Sequence, residues 1–211
     1  MARRIPKLPP PKMLRKAIPR SLLRGVQREC ERKELRWTNI FNVTVRRRQD
    51  PPDRQAAYGL VPVGTQHYPA QPLPALRKWG DVVLQLMREN MDHLPPMHLH
   101  TLGYVRATTS TPQLYHRDVP LSHSGAAFSV FTPVNVRCPD HDANGSRWRD
   151  EHGDEHPMGS HPGDVFIMDS RTLHRGGGKP RNCRGYRYVA FAAITEVGKP
   201  EPDYDTTVPA S

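Results

Sequence analysis

A chain of 211 residues is long enough for one domain with a full core and too short for two large ones. Three cysteines without short spacing exclude a disulfide framework and a cysteine-rich zinc site, so we expect a reducing, intracellular and by default cytoplasmic location. No apolar run is long enough to span a bilayer, and 23 prolines with 36% hydrophobic residues indicate many loops.

The positive charge is concentrated near the N-terminus. The net charge is +10, and residues 1–54 carry 16 Lys/Arg against 5 Asp/Glu, whereas the remainder carries 15 against 16. We predict that residues 1–20 form a basic, disordered tail. Its charge fits a solvated tail, a mitochondrial presequence, or a contact with nucleic acid or an anionic surface, including one in the nucleus. Pro9-Pro10-Pro11 weakens the presequence interpretation, because prolines interrupt an amphipathic helix.

Two amphipathic helices are predicted in the first half of the chain. From Ser21 as an N-cap, apolar residues at helical spacing extend through Cys30 toward Leu35. The clearer helix covers residues 75–91, where a broad apolar stripe recurs at three- and four-residue spacing, as is typical of a helix packed on a core. Between them we predict a strand over 39–45 and coil over 59–74.

Short strands are predicted over residues 102–109, 126–136, 164–168 and 186–194, separated by turn-rich loops. We therefore predict a mainly β protein with flanking helices, whose core is a double-stranded β-helix of the jelly-roll or cupin-like kind. This single domain would occupy residues 21–200, followed by a C-terminal tail at 201–211.

Three residues form a candidate metal site at the ends of these strands. In an extended strand, His116 and Asp118 point to the same face, so both can reach one ion. His174 follows the buried strand over 164–168 and could supply the third ligand. Two imidazoles and one carboxylate cap one face of a metal and leave the other open, which suits non-haem Fe(II) and indicates an oxygenase. A lone His-x-Asp arises easily by chance, so this prediction depends on its context.

That context resembles a known superfamily. His116-x-Asp118, the distant His174 and a basic residue on the following strand are similar to the Fe(II)/2-oxoglutarate-dependent dioxygenases. Gln113-x-x-His116-x-Asp118 and the glycine-rich turn after His174 most resemble the phytanoyl-CoA dioxygenase-like branch. The resemblance covers residues 102–195. It implies a double-stranded β-helix and an enzyme that uses Fe(II), 2-oxoglutarate and O2, releasing CO2 and succinate.

The resemblance also assigns roles to residues. His116, Asp118 and His174 would bind iron, and Arg187 would bind the distal carboxylate of 2-oxoglutarate. Arg184 is an alternative, since it follows His174 at a more usual spacing, but Arg187 opens the final predicted strand. Arginine suits this role because its planar fork matches a carboxylate. Gln113 and Tyr104 are predicted as further contacts to the co-substrate.

The substrate is left open by the sequence. A small molecule or acyl compound is the expectation from the branch. The alternatives are a protein side chain, an alkylated nucleic acid, or a barrel that binds without turnover. The histidines of the loop over 137–163 fit no metal motif, so we predict a polar surface loop that rims the pocket.

Overall fold

A computed structural model describes residues 8–39, 54–61, 69–135, 145–158, 161–179 and 185–200, together with the backbone of 208–209. In this part of the chain the elements are, in order, β1 (Lys12–Leu14), α1 (Arg20–Cys30), β2 (Thr38–Asn39), β3 (Arg54–Leu60), α2 (Pro74–Asn90), β4 (Met97–Ala107), β5 (His116–Arg117), β6 (Ala127–Pro133), β7 (Arg147–Arg149), β8 (Glu155–Pro157), β9 (Val165–Asp169), β10 (His174–Arg175), β11 (Arg187–Glu196) and β12 (Val208–Pro209).

The strands form two antiparallel sheets that face each other. The major sheet has the order β1-β9-β6-β11-β4-β3-β2, and the minor sheet has the order β12-β5-β10-β7-β8. Phe131 of the major sheet packs in one apolar cluster with Trp148 of the minor sheet, so this face of each sheet is shielded from water. This arrangement confirms the predicted double-stranded β-helix with flanking helices.

The helices cover the outer face of the major sheet. The predicted stripe on α2 is buried there, including Trp79, whose indole Nε1 donates to Thr132 Oγ1 at 3.2 Å. Glu29 of α1 accepts hydrogen bonds from the backbone N–H groups of Ala75 and Leu76, both at 2.9 Å. A carboxylate at a helix N-terminus satisfies unpaired N–H groups and complements the helix dipole, so Glu29 fixes α2 to α1.

The N-terminal helix differs from its prediction at both ends. It begins at Arg20, directly after Pro19, and Ser21 is not its N-cap. A proline before the first turn is preset for a helix start, which explains the earlier beginning. The helix ends at Cys30, while Leu35 lies beyond it and still packs against the core.

The predicted basic tail is wrong for part of its length. Lys12–Leu14 pairs with β9, with Met13 opposite Phe166, and Ile18 is buried in the core. Without β1, the backbone N–H and C=O groups at the edge of β9 would be unpaired. β1 pairs with them, and its apolar side chains Met13 and Leu14 pack against the protein. Residues 1–7 lie outside the described part of the chain.

Two residues of the predicted C-terminal tail pair with the minor sheet. Val208 pairs with Arg117 and Pro209 with His116, so β12 extends the minor sheet beside β5. Residues 201–207 lie outside the described residues.

The longer predicted elements agree with the structure, and the shorter ones agree less well. The helix over 75–91 and the four strands after it are found within a few residues of their predicted bounds. The strand over 39–45 begins with β2, and the rest of it falls outside the described residues. The coil over 59–74 is wrong at its start, because β3 continues to Leu60. None of the described helices has the length and apolar character needed to cross a membrane.

Candidate metal centre

The two predicted histidine ligands lie side by side in the minor sheet. His116 on β5 pairs directly with His174 on β10, and their ring centroids are 4.5 Å apart. Directly paired residues of antiparallel strands project to the same face, so both imidazoles point between the sheets. Both are buried, His116 at 8% exposure and His174 at 3%.

Asp118 completes the group from the turn that follows β5. Its Oδ1 lies 3.7 Å from His116 Nε2 and 3.5 Å from His174 Nε2. The backbone N–H of Asp118 donates to the carbonyl oxygen of Ser170 at 3.0 Å, which ties this turn to the end of β9. Among the described residues, these three form the group whose ligand atoms lie close enough to hold one metal ion.

The hydrogen bonds of the imidazoles select the ligating nitrogens. His116 Nδ1 donates to the carbonyl oxygen of Leu114 at 2.9 Å, and His174 Nδ1 donates to that of Thr172 at 3.0 Å. A carbonyl can only accept, so each Nδ1 carries the proton and each Nε2 keeps its lone pair toward Asp118. Backbone carbonyls that orient ligand imidazoles in this way are usual at metal centres.

Burial keeps His174 neutral. It lowers the pKa of His174 from its ordinary 6.5 to about 4, with the neighbouring Asp118 carboxylate opposing the shift and His116 adding to it. Burial disfavours the charged imidazolium, so the form that prevails near pH 7 is the one that can bind a metal.

The donor set fits Fe(II). Neutral imidazoles and a single carboxylate match the preference of that ion and occupy only one face of it. Adjacent ligands about 2.1 Å from one ion are about 3.0 Å from each other, as octahedral geometry requires. The Oδ1-to-Nε2 distances of 3.5 and 3.7 Å would therefore need to shorten by only a fraction of an ångström.

Arg187 lies on the same side of the major sheet as the metal group. Ala193 is six residues from Arg187 on β11, so both project to one face, and Ala193 pairs with Ser129, whose hydroxyl contacts Asp118. Arg187 is buried at 6% exposure, and its guanidinium donates to Ser146 Oγ at 2.9 Å and to the carbonyl oxygen of Gly177 at 3.3 Å. Arg184 lies outside the described residues.

A second buried arginine was not predicted. Arg54 on β3 is two strands away from Arg187 in the same row, since both pair with Ala107 of β4. Its Nη2 donates to the carbonyl oxygen of Gly177 at 2.7 Å, so the two guanidiniums meet at one oxygen atom. The available signal was a strand that begins with arginine and continues with small apolar residues, which places that arginine beside a packed interior.

Tyr104 and Gln113, both predicted to contact the co-substrate, lie in different surroundings. Tyr104 pairs with Ala190, three residues from Arg187, and so faces the helices. Its hydroxyl donates to Glu29 Oε2 at 2.8 Å, and its pKa is raised by burial and by Glu29. The prediction that Tyr104 contacts the co-substrate is wrong, because strand alternation directs it away. Gln113 Oε1 accepts from the backbone N–H of Gly176 at 3.0 Å and holds the turn after His174.

Aromatic and charged side chains support the minor sheet from its other face. Residues next to each ligand point outward, and Arg149 and Arg175 lie 4.0 and 5.2 Å from the centroid of the Tyr115 ring. Glu155 pairs with both arginines, at 3.0 and 3.7 Å. Cation–π and ionic contacts across three strands hold the ligand strands in register.

The interior beside His174 is apolar. The Phe131 ring centroid lies 6.0 Å from that of His174. Phe131 belongs to a small apolar cluster with Met158, Phe166, Met168 and Trp148. These side chains shield one side of the metal group from water.

The prediction of a polar surface loop over 137–163 is wrong for part of its length, because Arg147–Arg149 and Glu155–Pro157 are strands of the minor sheet, and Trp148 and Met158 lie in its apolar cluster. His156 Nε2 lies 2.8 Å from Asp150 Oδ2, and the His156 ring stacks on Trp148 at 4.6 Å. His161 lies 3.8 Å from the Asp164 carboxylate, whereas His141 is outside the described residues. These histidines have local partners and form no second metal group among the described residues.

Comparisons identify proteins that share this fold. No family model matches the chain, and no curated protein matches it in sequence. A solved prolyl hydroxylase from Trichoplax adhaerens, in complex with a hypoxia inducible factor oxygen degradation domain peptide fragment, has a TM-score of 0.62 at 12% identity, over 88% of this chain and 83% of that one. HygX from Streptomyces hygroscopicus, with nickel, 2-oxoglutarate and hygromycin B bound, has a TM-score of 0.60 at 12% identity, over 89% and 83%.

A bacterial structure shows the same likeness. A Pseudomonas putida prolyl-4-hydroxylase has a TM-score of 0.59 at 16% identity and covers 89% of this chain and 93% of its own. Identities this low show a shared fold, and activity has to be argued from the residues of the site.

Proposed function

We propose that this protein is an Fe(II)- and 2-oxoglutarate-dependent dioxygenase. The observation that carries the proposal is the convergence of His116 Nε2, Asp118 Oδ1 and His174 Nε2 between two sheets. Among the described residues, no other group of histidine, cysteine and carboxylate side chains offers a metal site. The pattern Gln113-x-x-His116-x-Asp118 favours the phytanoyl-CoA dioxygenase-like branch within this class.

Each part of the site has a defined role in this proposal. The three ligand residues would hold iron, and bound iron with 2-oxoglutarate would activate O2 for oxidation of the substrate, with release of CO2 and succinate. Arg187 would bind the distal carboxylate of 2-oxoglutarate through its fork. Arg54 would stabilise that negative charge from the other side of Ala107, and Gln113 would hold the glycine-rich turn that borders both arginines.

We place a small molecule or acyl compound first as the substrate. The apolar wall of Phe131 and Trp148 beside His174 supports an apolar substrate portion, because such surfaces contribute binding by excluding water. Oxidation of a protein side chain or an alkylated nucleic acid is the second candidate. We expect the protein to act inside the cell, since its described cysteine, Cys30, is a buried free thiol.

Anaerobic addition of Fe(II) and 2-oxoglutarate tests the proposed activity. The wild-type protein should develop the weak visible charge-transfer band of a complex between the two, and His116→Ala should not. His152→Ala is a matched control, because the His152 side chain is 76% exposed in the turn between β7 and β8 and is not one of the three ligand residues. A folded wild-type protein that shows no band and binds no Fe(II) would refute the proposal.

A basic helix face supports contact with an anionic polymer as a further partner. Arg20, Arg24 and Arg28 recur every four residues on α1, and all three are exposed without an ion pair in the described part of the chain.

Wild-type protein should bind labelled DNA with an affinity that falls as salt rises, since binding releases counterions. Arg24→Glu with Arg28→Glu should weaken it, and Arg77→Glu with Arg88→Glu on α2 serves as the control. Equal binding by both double variants would exclude α1 as the contact.

A further inference from the structure

Two buried serines contact the ligand carboxylate from the major sheet. Ser129 Oγ donates to Asp118 Oδ2 at 2.5 Å, and Ser129 Oγ also lies 2.8 Å from Ser170 Oγ. Ser129 is 3% exposed and Ser170 is fully buried. The three side chains therefore form a hydrogen-bonded chain that ends at Asp118 Oδ2. The other oxygen, Oδ1, faces the two imidazoles.

The direction of this chain follows from the chemistry of its members. An ionised carboxylate can only accept hydrogen bonds, so Ser129 must use its single hydroxyl proton on Asp118. Ser170 must then donate its own proton to Ser129. Donation in series polarises each hydroxyl and strengthens the next bond, so Ser170 reinforces the contact between Ser129 and Asp118.

The backbone holds the serine chain in place. Ser129 lies in the middle of β6, between β9 and β11. The backbone N–H of Ser170 donates to the carbonyl oxygen of Ala127 at 2.8 Å, and the carbonyl oxygen of Ser170 accepts from the N–H groups of Asp118 and Val119 at 3.0 and 3.2 Å. Ser170 thus positions the backbone of Asp118 through its carbonyl oxygen, and Ser129 positions the Asp118 carboxylate through its hydroxyl.

We propose that Ser129, supported by Ser170, is a positioning residue that commits Asp118 to bind the metal through Oδ1 alone. With Oδ2 engaged, the carboxylate cannot rotate to present both oxygens, and the protein supplies three ligand atoms instead of four. The positions left open are those that a two-pronged co-substrate and O2 need. The inference rests on the proposed metal centre and adds how its ligand number is set.

The test uses Co(II) as the probe, measured by equilibrium dialysis and by its visible absorption, which depends on coordination geometry. Loss of a side chain that orients a metal ligand typically weakens binding by about 10- to 100-fold, and we expect that range for Ser129→Ala. The absorption spectrum of bound Co(II) should also change, because the freed carboxylate can alter the coordination number. Ser129→Thr retains the hydroxyl on a residue type that strands favour, so it should restore both affinity and spectrum.

Two further variants separate positioning from packing. Ser170→Ala removes only the supporting donor and should have a smaller effect than Ser129→Ala. Ser124→Ala changes an exposed serine on the approach to β6 and should match the wild type. If Ser129→Ala proves unstable in a thermal melt, the other two variants still decide the question. Ser170→Ala retains the Ser129 hydroxyl, and Ser129→Thr retains a hydroxyl at position 129.

The outcomes are distinct. Wild-type affinity and spectrum in Ser129→Ala and Ser170→Ala would overturn the inference while leaving the metal centre intact. Weak binding by Ser129→Thr equal to that of Ser129→Ala would also overturn it, since a hydroxyl would then make no difference. A folded wild-type protein that does not bind Co(II) would instead contradict the proposed metal centre itself.

Discussion

At the scale of single residues, His174 links burial to the pH dependence of stability. Its pKa is lowered to about 4 by burial, whereas an exposed histidine in the unfolded chain has its ordinary value of 6.5. The unfolded state therefore binds more protons between these two values. The stabilisation is complete above pH 6.5 and is lost progressively as the pH falls toward 4.

This predicts a measurable difference in the metal-free protein. Between pH 7.5 and pH 5, the wild type should lose about 2 kcal/mol of unfolding free energy through His174, an order-of-magnitude figure from proton linkage. The unfolding free energy of His174→Gln should fall by about 2 kcal/mol less than that of the wild type over the same pH interval. His152→Gln, which changes an exposed histidine, should show the same fall as the wild type. Urea unfolding in the presence of a chelator measures all three. An equal pH dependence in His174→Gln and wild type would contradict this origin.

Arg187 carries the second residue-scale prediction. Replacement by lysine keeps the charge but loses the fork, so we expect the KM for 2-oxoglutarate to rise about tenfold, equivalent to about 1.4 kcal/mol, with a smaller change in kcat. Arg184→Lys is the matched control, because it tests the alternative anchor. Uncoupled 2-oxoglutarate turnover is the assay. A larger KM effect from Arg184→Lys would assign the anchor to Arg184 instead.

The metal group could be predicted from sequence, and its surroundings could not. His116 and Asp118 are two residues apart, so both can reach one ion from the end of a strand, and Asp118 does so from the turn that follows β5. Ser129 and Arg54 lie in strands made largely of apolar or small residues, and only the pairing of distant strands brings them to the site. Tyr104 was misplaced because alternation gives two faces but does not say which one lies toward the metal.

At the scale of elements, the long strands could be predicted because their apolar residues are continuous. β11 is buried at most positions between β4 and β6, so its sequence is apolar on both faces. β1, β3, β7, β8 and β12 were not predicted as strands. β1, β7, β8 and β12 have only two or three residues, which is too few to show a strand periodicity, and β3 is rich in small residues.

The strand β1 provides a test of this interpretation. Deletion of residues 1–19 removes the pairing with β9, the buried Ile18 and the ion pair of Arg15 with Asp164 at 2.8 Å. Loss of one buried Ile alone costs about 2–5 kcal/mol, so the melting temperature should fall by well over 5 °C. Deletion of residues 1–7, which removes none of these contacts, is the control. Equal melting temperatures would show that β1 contributes nothing to the sheet.

At the scale of the whole molecule, the helices and the candidate metal group lie on opposite faces of the major sheet. The helices pack on the outer face of the major sheet, and the ligand group lies between the two sheets. Three of the sixteen basic residues of 1–54, namely Arg20, Arg24 and Arg28, are exposed on α1. Proteins that share a fold differ in what they bind, so for the proposed dioxygenase we expect the substrate to be selected by side chains that border the space between the sheets.

A crystal structure of the Ni(II)-loaded protein with 2-oxoglutarate, with anomalous scattering to locate the metal, tests the central claim most directly. We expect one metal peak about 2.0–2.3 Å from His116 Nε2, Asp118 Oδ1 and His174 Nε2, as is typical of nitrogen and oxygen ligands. The distal carboxylate of the co-substrate should lie against Arg187. A metal peak elsewhere, or His174 turned away from the metal in the loaded protein, would contradict the account.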